Sequence, residues 1–186
     1  MVTRVIGGVV VCAVAAAAAM KAEQQAEGRP DAQVLAKVVR EVEGLDAMRS
    51  VLAGSFSGEP DLSTFAQVCR PVGARAKRLA EENGWRVAQL AEKYRNPDNR
   101  LDPEAERVYR MMAADPGLMG MWLRAELEGQ AGYRYFRRIV VEEACLACHG
   151  PQEDRPQFVK DGYAEDRAYG FEVGDLRGLY SVFVQD

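Results

Sequence analysis

The segment Cys145-Leu146-Ala147-Cys148-His149 leaves this chain the fewest options, because it sets two thiols three residues apart directly before the only histidine in the sequence. Thiols at i and i+3 lie on the same side of one helical turn, and the imidazole that follows points to a different side. Covalent attachment of haem needs this division of labour: two thiols that reach the vinyl groups along one side of the macrocycle, and an imidazole held under the iron. The spacing therefore reads as a c-type haem attachment site.

Three other uses of the cluster compete with this one. A thioredoxin-like redox pair calls for a βαβ unit, and no parallel strand is evident after the cluster. A structural zinc would recruit Cys69, Cys145, Cys148 and His149, but adjacent Cys148 and His149 strain a tetrahedral site. The third use is a simple Cys145–Cys148 disulfide.

The start of the chain bears on the compartment. One Arg precedes an uncharged run from Val5 to Met20, after which the sequence turns polar. That run is shorter than the ~20 apolar residues that span a bilayer, and Ala17-Ala18-Ala19 supplies the small residues of a cleavage site. Residues 1–19 are read as a signal peptide, with an uncleaved N-terminal anchor as the alternative. Cys12 follows Val11, too large for lipid attachment. Without the leader, Cys69, Cys145 and Cys148 remain, an odd number for an oxidising compartment where disulfides pair thiols evenly. Export to the periplasm fits c-type attachment, which is made outside the cytoplasm.

The rest of the chain, residues 31–186, is expected to form one domain. With 186 residues and 48% hydrophobic content it can bury one core. The 28 acidic and 24 basic side chains, net charge −4, are mixed along the sequence. No basic face for nucleic acid is formed by them. After cleavage nothing would hold the chain to a membrane, and nothing in the sequence dictates an oligomeric state.

Apolar spacing from Asp31 to Gly54, and again from Asp61 to Gly84, predicts two helices. The second carries Cys69 on its apolar stripe and Pro71 within it, where a kink or restart is expected. Trp85 to Tyr94 is a strand candidate. Asp102-Pro103 starts a further helix with Val108, Met111 and Met112 inward. Residues 115–132 are ambiguous between helix and strand, and Tyr133 to Val141 leads as a strand into the cysteine cluster. Gly150 to Arg167 reads as a long loop. Ala168–Val173 and Leu179–Val184 read as two short strands hinged at Gly174–Gly178. Helices followed by mostly antiparallel strands make an α+β domain.

With a single histidine, bis-histidine ligation within one chain is impossible. The second axial ligand is to be sought among Cys69 and Met48, Met111, Met112, Met119 and Met121. Methionine on a helix face more often fills space, and Cys69 has an equally plain reading as a small buried side chain. The two ligand types differ in effect: a neutral thioether raises the reduction potential and an anionic thiolate lowers it.

Several motifs resemble a family of PAS-like monohaem c-type cytochromes. They are Cys-Leu-Ala-Cys-His-Gly at 145–150, Arg155-Pro156, the run Tyr169-Gly170-Phe171-Glu172-Val173-Gly174-Asp175-Leu176-Arg177-Gly178, and Ser181-Val182. Upstream, Val68-Cys69, Gly84-Trp85-Arg86-Val87 and Tyr94-Arg95-Asn96-Pro97-Asp98-Asn99 follow the same order. The likeness covers residue 60 to the C-terminus. It implies a small antiparallel sheet with flanking helices and a long N-terminal helix. It also implies iron held by His149 and, as in a cyanobacterial member, by the cysteine of the Val-Cys motif, here Cys69. Pro103-Glu104-Ala105-Glu106 departs from relatives that carry an aromatic there.

The expected function is a periplasmic, non-enzymatic monohaem cytochrome that transfers single electrons or reports redox state to a redox or signalling protein partner. Cys145 and Cys148 would be the covalent anchors, His149 and Cys69 the axial ligands, and Arg155 a partner for a haem propionate. The alternative is a haem-based sensor that binds a diatomic gas and acts on a separate signalling partner. Catalysis would need an acid or base beside an open iron, and the one histidine is already committed.

Overall fold

The computed structural model describes residues 31–186. The expected signal peptide over 1–19, and Cys12 with it, lies outside the described residues.

Helix α1 (Ala32–Gly54) begins where the Asp31 carboxylate accepts the Gln33 amide at 2.8 Å. Helix α2 (Leu62–Asn83) opens on a reciprocal cap between Asp61 and Thr64. It closes at Gly84, whose φ of 67° is the left-handed conformation that glycine adopts at low cost. α2 continues through Pro71 as one helix, so the expected restart does not occur. Helix α3 (Pro103–Ala114) starts as the sequence indicates, with Asp102 as cap and Pro103 in the first turn.

Four strands form one antiparallel sheet in the order β1-β4-β3-β2. They are β1 (Arg86–Leu90), β2 (Gly120–Leu127), β3 (Gln130–Val140) and β4 (Leu176–Gln185). The ambiguous stretch 115–132 thus holds β2. It joins β3 through Glu128-Gly129, both at positive φ, the two-residue turn that matches strand twist.

Strand alternation puts a helical layer on each face of the sheet. Tyr135, Ile139, Tyr180 and Val182 face α1 and α2, where Val38, Val42, Leu45, Val72, Ala76 and Leu79 complete a core. Phe136 and Leu179 face α3 and meet Ala105, Val108 and Met112. Each buried Val, Leu, Ile, Phe or Met among them contributes about 1.5–3 kcal/mol. Met111, expected on the inner face of α3, is 49% exposed. It directly precedes the fully buried Met112, and neighbours on a helix point about 100° apart.

The α+β, PAS-like fold expected from the sequence is therefore formed, with two corrections in its second half. Helix α4 (Leu146–His149) sits within the cysteine cluster, and α5 (Gln157–Gly162) interrupts the expected loop. Ala168–Val173 is not a strand, and no hairpin forms at Gly174–Gly178. The backbone bonds of that segment go elsewhere: the Gly170 amide donates to Gly150 O at 2.6 Å and the Phe171 amide to His149 O at 3.1 Å. β4 pairs instead with β3 and β1.

Candidate cofactor site

β3 ends at Val140, and its last turns of chain feed a 3-10 turn (Glu143–Cys145) that runs directly into α4. This short helical stretch carries Cys145, Cys148 and His149. Glu142 ties its start to α1: its carboxylate accepts from Arg49 Nη2 at 2.7 Å and from Ser50 Oγ at 2.8 Å. Arg49 also approaches Cys145 Sγ at 3.6 Å. The stretch ends at Gly150, where a Cβ would come within 2.8 Å of Leu146 O, so only glycine lets the chain turn this tightly behind His149.

Cys145, Cys148 and His149 line one wall of a cavity of about 1180 Å³, its open mouth included. Phe65, Val68, Cys69 and Val72 of α2 line it as well, with Leu90, Ile139 and Phe158 adding apolar surface. Cys69 thus shares the cavity with the CxxCH cluster, whereas none of Met48, Met111, Met112, Met119 and Met121 lines it. Met48 packs against the α1–α2 core, Met112 and Met121 belong to the α3 core, and Met111 and Met119 are exposed.

The stripe pattern placed Cys69 on the buried face of α2, but its side chain is accessible. It lines the cavity. The protein around it still desolvates the thiol: burial pushes its pKa up, against the opposing pull of the Arg95 charge. Burial also pushes Cys148 up to about 11, again opposed by Arg95 and reinforced by the nearby Cys69 and Cys145. Among the described residues all three cysteines are free thiols, and no group of three or more His, Cys, Asp or Glu is arranged to hold a metal ion. Neither the zinc arrangement nor the disulfide considered for the cluster is formed.

His149 is held by its backbone-facing nitrogen. Nδ1 donates to Ala168 O at 2.6 Å, and Phe171 meets the ring edge-on at 6.2 Å between centroids. Desolvation, with the charges of Arg177 and Arg95 adding to it, drives the imidazole pKa well below its ordinary value. The ring is therefore neutral at pH 7 with its proton on Nδ1. Nε2 keeps its lone pair, the form a metal ligand requires.

Behind the imidazole, the fully buried carboxylate of Asp166 accepts from Arg95 Nε at 3.3 Å, Arg155 Nη1 at 2.9 Å and the Ala168 amide at 3.0 Å. Arg95 Nη2 donates to Cys148 O at 2.8 Å. Arg155 does not line the cavity; its guanidinium pairs with Asp166 and stacks over Tyr169 at 4.6 Å. Arg95 and Arg177 do line it. The sequence alone assigns neither a role, although both stand in the family-like motifs Tyr94-Arg95-Asn96-Pro97 and Gly174-Asp175-Leu176-Arg177-Gly178. Burial, and then the Arg95 charge, lowers the pKa of Arg177 to about 10.

These residues fit a haem c: two thiols and a neutral imidazole on one wall, a third thiol within the same apolar cavity, and cations to meet carboxylates. No curated protein is matched by the chain. Among solved structures it is similar to the cyanobacterial haem protein Tll0287, with 42% identity, a TM-score of 0.76, and coverage of 84% of this chain and 98% of that one. A family pattern matches residues 17–185, nearly the whole sequence. The chain belongs to the Tll0287-like family.

Proposed function

We propose that this protein is an exported, periplasmic monohaem c-type cytochrome that passes single electrons to, or reports redox state to, a protein partner. The observation that carries this reading is the convergence of Cys69, Cys145, Cys148 and His149 on one largely apolar cavity. The likeness to a cyanobacterial haem protein supports it independently.

When bound, haem supplies the one-electron couple. In this reading Cys145 and Cys148 form the thioether links, His149 offers Nε2 to the iron and Cys69 supplies the second axial group. The Ala168 carbonyl fixes the imidazole, and the apolar wall keeps water away. With both axial positions filled by protein, no site remains for a substrate, so the role is not catalytic. The leader, read from sequence, accounts for export. No helix among the described residues is long and apolar enough to cross a membrane.

The position of Cys69 on the cavity wall also suits a second reading, a haem-based sensor in which loss of the thiolate on reduction admits a diatomic gas and a separate partner carries the output. The test is the mature protein made with haem-attachment machinery. Mass spectrometry is expected to show one added haem, and absorption spectra a thiolate-ligated oxidised form that Cys69→Ala abolishes. Carbon monoxide that leaves the reduced spectrum unchanged supports the electron carrier, and a changed spectrum supports the sensor.

A further inference from the structure

Three guanidiniums line the cavity, and two of them are paired with carboxylates of the protein. Arg49 pairs with Asp46 and Glu142, and Arg95 with the buried Asp166. Among the described residues Arg177 has no carboxylate within ion-pair distance. Its contacts instead fix its position: Nη1 donates to Lys93 O at 3.0 Å, and the guanidinium lies 5.3 Å from the centre of the Phe171 ring. Phe171 is the ring that meets His149 edge-on. Its neighbour Gly178 lines the cavity too, and a Cβ there would come within 2.5 Å of Leu90 O, so the backbone carrying Arg177 is pressed against β1 at the cavity wall.

Arg177 lines a largely apolar cavity, and its planar fork suits a carboxylate. We propose that Arg177 anchors a carboxylate of the ligand held in this cavity, which, resting on the haem reading above, is a haem propionate. Arg155, nominated for this role by its place in the sequence, is occupied by Asp166. The pairing keeps the propionate ionised and neutralises its charge, which favours reduced iron.

The test compares mature wild-type protein with Arg177→Gln, Arg177→Lys and, as a control, Arg110→Gln on the exposed face of α3, where Arg110 pairs only with Glu106. Resonance Raman propionate-bending bands and the midpoint potential from pH 5 to 9 are measured. In Arg177→Gln the bands are expected to shift, the potential to become pH-dependent, and the oxidised form to gain roughly tenfold at fixed ambient potential, about 59 mV for one electron. Arg177→Lys, which keeps the charge but loses the fork, is expected to shift the bands while holding the potential near wild type, and it decides the matter if the glutamine variant does not fold. Arg110→Gln changes neither. Bands and potential unchanged in a haem-loaded Arg177 variant overturn the assignment. Absence of any haem adduct in wild type overturns the haem reading itself.

Discussion

Nδ1 of His149 donates to the carbonyl of Ala168 at 2.6 Å, and the amide of the same Ala168 donates to the Asp166 carboxylate at 3.0 Å. One residue thus ties the only imidazole of the chain to a buried anion that also holds Arg95 and Arg155. The orientation of the imidazole depends on a segment almost twenty residues downstream, and its proton is assigned to the side away from the expected metal.

Asp166→Asn removes the charge that two guanidiniums share while keeping the shape of the side chain. Breaking a buried ion pair by neutralising one partner costs about 3–5 kcal/mol. Urea unfolding is expected to show a loss of that order. A loss below about 1 kcal/mol would mean that Arg95 and Arg155 find compensation elsewhere.

On the ligation proposed above, Cys69→Met exchanges an anionic sulfur ligand for a neutral one within the same cavity. The reduction potential is expected to rise, because thioether ligation favours ferrous iron. Spectroelectrochemistry checks this. An unchanged potential would place the axial ligand somewhere other than position 69.

Gly178→Ala sets a Cβ within 2.5 Å of Leu90 O, a backbone atom that cannot swing aside. β4 must move away from β1 where both line the cavity. Destabilisation of about 1–3 kcal/mol is expected. Thermal unfolding measures it, and a spectral change in the haem-loaded protein would accompany it.

Asp102 caps α3 and pairs with Arg134 at 2.6 Å. Desolvation acts to raise its pKa, but the Arg134 hydrogen bond, the Ala105 and Glu104 amides and the Arg134 charge outweigh it, so the carboxyl lies below its ordinary value. A depressed folded-state pKa makes the stabilisation fully present above the unfolded value of ~3.9 and lost as pH falls through the folded value. Asp102→Asn is therefore expected to flatten the acid limb of the stability curve below about pH 4. Asp102→Ala should cost a further 1 kcal/mol or so at neutral pH through loss of the cap. Urea titrations between pH 2 and 7 follow both.

Local chemistry was sufficient to read much of this protein from its sequence. The helix starts at Asp31, Asp61 and Asp102 are set by side chains that satisfy nearby amides, and the stop at Gly84 by a glycine that accepts positive φ. The spacing of Cys145, Cys148 and His149 is a one-turn relationship that needs no tertiary partner to be recognised. Long-range competition decided the rest. Ala168–Val173 carries a strand-like pattern, yet its amides bond the backbone behind His149, and β4 takes the sheet position beside β3 and β1. Arg155 and Arg177 look alike in sequence, but the fold gives one the Asp166 carboxylate and leaves the other facing the cavity. Which face of α2 would turn Cys69 toward a cavity, and which methionines would be sealed in the cores, depended on how the helices dock against the sheet, because burial is a property of the assembled layers and not of any one segment.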